Sequence, residues 1–227
     1  CGRCKELCRF GAVDTKKEGY MQKQYVIDDM ECEGCQLCYR ACPVDAIEMM
    51  DHLAGHWHIG ETRYGPMVNA KLGIAEDNSG LLVSKVKKKA RELAQDRKLD
   101  LIIVDGPPGI GCPVIASLAN VDAALVVTEP SISGIHDMER VLGLAAHFGV
   151  KPLVCINKYD INEENTRLIE KNCQEQGVKV VGRVPYDTIF TEALMEGRSV
   201  VEYAGKNIVA RKVIDIWEDV FKELRSC

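Results

Sequence analysis

The stretch Leu99-Asp100-Leu101-Ile102-Ile103-Val104-Asp105-Gly106-Pro107-Pro108-Gly109-Ile110-Gly111-Cys112-Pro113 changes character at a single carboxylate. Before it, Leu101 to Val104 is an unbroken apolar run of β-formers, which predicts a strand buried on both faces of a parallel sheet. After Asp105, Gly106, Gly109 and Gly111 permit unusual backbone angles, while Pro107 and Pro108 stop a helix and stiffen the turn. Pro113 can then take the first position of the next helix. Ligands of open α/β sheets bind outside the carboxyl ends of strands, so Asp105 is expected where a nucleotide phosphate and its Mg²⁺ come within reach. A strand that simply ends in a solvated Asp is the plainer reading. The added Gly-Pro-Pro-Gly favours a nucleotide switch loop.

On both sides of this stretch, strand and helix patterns alternate. Strands are expected at Ala123–Thr128, Pro152–Ile156 and Val178–Val184, and helices near Val114–Leu118, over Ile135–Phe148, from Asn162, over Thr188–Glu196 and over Gly205–Leu224. Upstream, Asn78-Ser79 predicts the cap of a helix reaching about Arg97, with Leu82, Val86, Ala90, Leu93 and Ala94 as its apolar stripe. Lys85, Lys87, Lys88, Lys89 and Arg91 then read as a solvated face, a docking patch being the sharper alternative. The alternation predicts an α/β fold with a doubly wound parallel sheet. Its strand ends would gather Asp105, Asn157-Lys158 and Pro185-Tyr186-Asp187 on one edge. The Asn157 amide can donate and accept at once, which suits a purine edge. Asn157-Lys158 with Asp160 also has the shape of a GTPase guanine loop, so adenine and guanine both stay open.

The cysteines are concentrated at the other end of the chain. Cys32, Cys35, Cys38 and Cys42 follow C-x₂-C-x₂-C-x₃-C with Pro43 next, the bacterial ferredoxin run for 4Fe–4S ligation. Cys1, Cys4 and Cys8 repeat its last three positions, with Arg9 in place of the proline. In the crossed pairing of such runs, Cys32, Cys35 and Cys38 take Cys8 as fourth ligand, and Cys1 and Cys4 take Cys42 plus a thiolate expected just upstream. With three ligands that second cluster would be labile or three-iron. A zinc site is the alternative. Ala12-Val13 and Ala46-Ile47 repeat at matching offsets, and Gly19-Tyr20 with Tyr25-Val26-Ile27 suggests a hairpin between the halves. Beyond this module, residues 1–50, His56 and His58 would share a strand face, Trp57 would be core, and Thr62–Lys71 reads as a second hairpin. Residues 51–227 are expected to form the α/β domain.

The chain has 227 residues, 46% of them apolar, enough for one α/β core plus a small module. Its net charge of −5 argues against a general nucleic-acid binder. Neither a long apolar run nor a secretory signal is seen, so eleven cysteines point to metal ligation in a reducing cytoplasm rather than to disulfides. Because the chain starts at Cys1 inside a motif, it reads as a fragment.

Asp105-Gly106-Pro107-Pro108-Gly109, Asn157-Lys158 and Pro185-Tyr186-Asp187 resemble the later nucleotide motifs of MinD/ParA/Mrp-type P-loop ATPases. With the cysteine runs, Asn78-Ser79-Gly80, Gly109-Ile110-Gly111-Cys112-Pro113-Val114 and Thr128-Glu129-Pro130, the chain is similar to MinD-superfamily ATPases carrying an inserted ferredoxin domain. The resemblance implies two 4Fe–4S clusters, ATP, Mg²⁺ and subunits that pair across the nucleotide. It implies Asp105 as the switch residue near Mg²⁺ and the attacking water. Gly106, Pro107, Pro108 and Gly109 would belong to that switch, and Asn157, Lys158, Pro185 and Asp187 to the base side. The family's phosphate loop precedes the insert, and no Gly-Lys-Ser/Thr occurs in these residues. Without that cradle the chain as given is expected to hydrolyse no ATP at a useful rate. The leading expectation is a nucleotide-gated iron–sulfur protein working with a redox partner protein. The alternatives are an electron carrier with a vestigial nucleotide site and a cluster-assembly carrier of Mrp type, which would need a C-x-x-C that Cys112, Cys155, Cys173 and Cys227 do not form. MinD-like membrane attachment ranks last, because Glu218, Asp219 and Glu223 offset Lys222 and Arg225 in the last helix.

Overall fold

The computed structural model describes residues 1–16, 24–73, 76 and 80–225, which fall into two compact units, Cys1–Asp77 and Asn78–Cys227. The first unit repeats its own backbone. α1 (Arg3–Leu7) follows a left-handed Gly2, and β1 (Val13–Lys16) pairs antiparallel with β2 (Gln24–Ile27). α2 (Leu37–Arg40) follows a left-handed Gln36 and packs against α1. Positive φ recurs at Gly2 and Gln36 (91° and 66°) and at Gly11 and Asp45 (74° and 49°), a constant offset of 34 residues. The same offset carries Cys1, Cys4 and Cys8 onto Cys35, Cys38 and Cys42. The internal similarity expected from the sequence is thus present in the turns. Gly19-Tyr20 lies outside the described residues.

β3 (Gly55–Thr62) and β4 (Gly65–Leu72) form a second antiparallel hairpin, in the same unit and longer than the Thr62–Lys71 expectation. Thr62 Oγ1 donates to the Gly65 carbonyl at 2.8 Å and closes the turn. His56 and His58 do share a face, their rings 6.4 Å apart. Trp57 departs from expectation: it is 50% exposed rather than core. A two-stranded ladder alone offers no second layer to cover an indole.

The second unit runs α3 (Leu81–Arg97), α4 (Cys112–Leu118), β5 (Ala123–Thr128), α5 (Ile132–His147), β6 (Lys151–Asn157), α6 (Glu163–Glu175), β7 (Lys179–Val184), α7 (Ile189–Met195), α8 (Val200–Tyr203) and α9 (Ile208–Arg225). Its sheet is parallel, ordered β5-β6-β7. β6 is apolar at successive positions because both faces are covered. Leu153 and Cys155 join Val181 and Val184 beneath Val209, Ile216 and Val220 of α9. Val154 and Ile156 meet Met138 and Leu142 of α5 and Ile169 and Cys173 of α6. Helices on both faces make the sheet doubly wound, as the alternation predicts.

Leu101–Val104 and Lys87 depart from expectation in this unit. Leu101–Val104 is no strand: Leu101, Ile102 and Ile103 are 40%, 39% and 74% exposed. A strand exists only where a neighbour accepts and donates its backbone hydrogen bonds, and among the described residues none lies beside this run. Instead the run and β5 line one cavity of ≈ 1360 Å³, and among the described residues β5 is paired on one edge only. Lys87, assigned above to a solvated face, is buried. Its ammonium donates to the carbonyls of Ala116 (3.0 Å), Ser117 (2.6 Å) and Ala119 (2.8 Å). It therefore caps the C-terminus of α4 from α3, and burial holds its pKa below the usual lysine range. α3 begins at Gly80, where an added Cβ would stand 2.8 Å from the Cys112 carbonyl. Asn78 and Ser79, the expected cap, lie outside the described residues.

Candidate functional site

In the first unit, short helices present the thiols. Cys4 lies within α1, with Cys1 before it and Cys8 at its C-cap. Cys38 lies within α2, Cys35 precedes the left-handed Gln36, and Cys32 and Cys42 flank the segment. All seven are at least partly exposed and free of disulfides. The Ala46 amide donates to Cys42 Sγ at 3.3 Å. Backbone N–H groups of Val44, Ala46 and Asp45 hold the Cys42 thiol below its usual range, while burial raises that of Cys38. Among the described residues, no three of His, Cys, Asp or Glu converge as a single-ion site requires. A cubane takes each thiolate on a different iron, so thiols set on two turns, with backbone amides donating to the sulfur of Cys42, fit that group's chemistry. In the same unit His52 pairs with Glu76 at 2.6 Å, which raises its pKa.

In the second unit, β6 and β7 are parallel neighbours, so their exits share an edge. Asn157 ends β6, and Lys158 follows with φ 51°. Pro185 and Asp187 follow β7. The Asn157 Oδ1 accepts from the Lys158 amide at 3.1 Å. Asp187 Oδ1 accepts from the Ile189 amide at 2.9 Å, opening α7. Asp105, Gly106, Pro107, Pro108 and Gly109 lie elsewhere, on the wall of the large cavity beside Thr128, Glu129 and Gly134. Asp105 is exposed and does not end a strand, contrary to expectation, for the reason given for Leu101–Val104. Of the three loop glycines only Gly109 needs its freedom, at φ 85°; Gly111 is extended and Gly106 is not left-handed. Cys112, not Pro113, takes the first position of α4.

One residue that the site expectation did not include connects the two groups. Glu129 lines the cavity with Asp105, and its Oε2 accepts from Lys158 Nζ at 3.1 Å. The sequence showed a strand ending in Thr-Glu-Pro, but not that its carboxylate reaches the next strand's exit. Thr128 Oγ1 donates to the Gly134 carbonyl at 2.9 Å and fixes the β5–α5 turn on the same wall. Of the remaining cysteines, Cys155 and Cys173 are buried, and burial pushes the Cys155 thiol up to about 11. Cys112 is exposed, and Cys227 lies outside the described residues.

The second unit is an open parallel sheet with its loops at the carboxyl ends of the strands, the architecture of nucleotide-binding α/β domains. Residues 79–221 match the NUBPL iron-transfer P-loop NTPase family, and residues 1–46 match the 4Fe-4S dicluster domain. The chain belongs to that NTPase family and carries a ferredoxin-like dicluster module at its N-terminal end. It is 33% identical over 165 residues to an uncharacterized protein of Methanocaldococcus jannaschii, covering 73% of this chain and 55% of that protein. It is 29% identical over 161 residues to an iron-sulfur cluster carrier protein of Pyrococcus furiosus, covering 65% and 54%. The chain thus spans little more than half the length of these relatives. Among solved structures, the MinD cell division protein of Aquifex aeolicus superimposes with a TM-score of 0.55 at 21% identity, over 72% of this chain and 68% of that one. The cell division ATPase MinD of Pyrococcus furiosus does so at 0.52 and 22%, over 66% and 60%. These likenesses establish a MinD-like fold. Among the described residues no helix is long and apolar enough to cross a membrane.

Proposed function

We propose that this chain belongs to an iron–sulfur protein whose redox contacts are governed by ATP binding and hydrolysis. The observation that carries the reading is the union, in one polypeptide, of a dicluster module at residues 1–46 and an NTPase domain at residues 79–221. Cys32, Cys35, Cys38 and Cys8 would hold one 4Fe–4S cluster, and Cys1, Cys4 and Cys42 three corners of a second. Bound there, the clusters would accept and release single electrons toward a redox partner protein. Asp105 would act near Mg²⁺ and the γ-phosphate, with Gly106 to Gly109 as its switch loop. Asn157, Lys158, Pro185 and Asp187 would form the base side, and two copies would pair across the nucleotide in the cytoplasm.

The cavity between Leu101–Asp105 and β5 supports one further element of this reading. Adjacent strands lie about 4.8 Å apart, and a free strand edge facing an apolar run is what an additional parallel strand needs. A strand filling that slot would bring a glycine-rich, lysine-bearing loop to Asp105, which these residues do not supply themselves. The test is anaerobic purification of the intact polypeptide with iron and sulfide counts, followed by redox titration with and without ATP. Two cubanes, ATP turnover abolished by Asp105→Ala, and a nucleotide-dependent midpoint potential or partner affinity are expected. Colourless protein, or potentials and affinities indifferent to ATP, would refute the proposal.

The family match and the similarity to a cluster carrier favour a second reading, transfer of an iron–sulfur cluster to an acceptor. With Cys155 and Cys173 buried and Cys112 a single exposed thiol, the dicluster thiols would be the cargo site in that case. Passage of an intact cluster to an apo-acceptor would select it.

A further inference from the structure

The two lobes of the thiol module share a backbone, so each serves as the control for the other. The 34-residue offset sets Cys4 against Cys38 and Cys8 against Cys42. At matched positions the charges differ. Arg3 and Lys5 flank Cys4, whereas Leu37 and Tyr39 flank Cys38. Lys16 is matched by Met50, and Gly11 by Asp45. Outside the matched span, Glu31 and Glu33 flank Cys32, and both are exposed. Residues 1–16 carry four cations against two carboxylates, and residues 28–51 one cation against seven carboxylates.

In the crossed pairing given above, Cys32, Cys35, Cys38 and Cys8 share one cubane, and Cys1, Cys4 and Cys42 belong to the other. Glu6 stands two residues from both Cys4 and Cys8, and Arg40 two residues from both Cys38 and Cys42, so neither separates the cubanes. The remaining charges are uneven. Beside the Cys32 set stand Glu31 and Glu33, against Arg9. Beside the Cys4 set stand Arg3 and Lys5, against Asp45, three positions past Cys42. Asp14, 2.9 Å from Lys5 Nζ, offsets part of that lysine. The Cys4 set also receives the Ala46 amide, which donates to Cys42 Sγ at 3.3 Å. Exposure works weakly the other way: two of four thiols are exposed in the Cys32 set and one of three in the Cys4 set.

Reduction adds one electron and no proton to a cubane, hence one negative charge. Neighbouring carboxylates resist that charge, while cations and amides donating to sulfur favour it. We propose that the module is polarised: Glu31 and Glu33 hold the Cys32 cubane at the lower potential, and Arg3, Lys5 and the Ala46 amide hold the Cys4 cubane at the higher one. An electron given to the Cys32 cubane then passes to the Cys4 cubane, the first being oxidised and the second reduced by that one electron, and rests there. The inference deepens the redox reading above and rests on its two cubanes.

The test is an anaerobic redox titration of the intact polypeptide followed by electron paramagnetic resonance, with iron and sulfide counted in every variant. Wild type is expected to show two midpoints. Glu31→Gln combined with Glu33→Gln should raise the lower midpoint and leave the upper one in place. Held at the wild-type lower midpoint, the reduced-to-oxidised ratio of that cubane should rise about threefold or more, the scale of removing one exposed charge nearby. Glu31→Asp combined with Glu33→Asp keeps the charge and should keep the wild-type value. Arg3→Gln should lower the upper midpoint instead. Both shifts should shrink at high salt, because these groups are exposed. Coincident midpoints in wild type overturn the polarity, as does a glutamine pair that moves the upper midpoint or moves neither. Fewer than two cubanes by iron and sulfide count overturns the cluster reading and this inference together.

Discussion

Glu223, near the end of α9, is the point where three elements meet. Its Oε2 lies 2.7 Å from Lys151 Nζ at the start of β6, and its Oε1 lies 2.9 Å from Lys179 Nζ at the start of β7. The Lys151 ammonium also donates to the Glu223 backbone carbonyl at 3.0 Å. The hydrogen bonds from Lys151 and Lys179 pull the Glu223 carboxyl down to about 2. An unfolded glutamate titrates near about 4.3. Because the folded value is the lower one, the stabilisation is complete above about pH 4.3 and is lost as pH falls toward 2. Glu223→Gln should therefore lower the thermal midpoint near about pH 6, and the gap to wild type should close by about pH 2 to 3. Thermal melts across that range check it; a gap independent of pH would mean that the pair contributes no charge-dependent stability.

Elements differ in how far the sequence exposes them. β6 was legible because a strand covered on both faces is apolar at every step, and Leu153 to Ile156 are all buried. Leu101 to Val104 carries the same pattern and forms no ladder, because apolar composition records what a segment could bury and not whether a neighbour stands beside it. The strand exits at Asn157 and Pro185 were legible from periodicity alone. The Glu129–Lys158 pair was not, since it depends on how far two exits are separated in space. Lys87 was read wrongly because lysine is ordinarily a surface residue, and its acceptors lie some 30 positions along the chain. Lys87→Met should preserve the packing volume and strip donors from the last turn of α4. A loss of about 1 to 3 kcal/mol, the scale for buried acceptors left without a charged donor, is expected in urea unfolding. Lys87→Arg should recover part of it.

At the scale of the whole molecule, the two units differ in what holds them together. The second buries two hydrophobic clusters around β6. In the first, the buried apolar side chains among the described residues are Ala12 and Val13. So little core offsets little of the entropy of ordering such a module, and clusters held by its thiols would supply the remainder. Iron chelation under anaerobic conditions is thus expected to abolish far-UV structure and amide protection in the first unit while the second keeps its cooperative melt. Unchanged circular dichroism after chelation would show that the thiol unit stands without its clusters.

Among the described residues, β5 has one edge joined to β6 and the other open, and its Val127 is 61% exposed. Bare main-chain donors and acceptors alongside apolar side chains are a template for any extended segment in solution, including the same segment of another molecule. Concentrated preparations of this chain by itself should therefore precipitate or grow β-rich fibrils long before the second unit melts. A strand seated on that edge, as proposed above, would also act as a guard against such association.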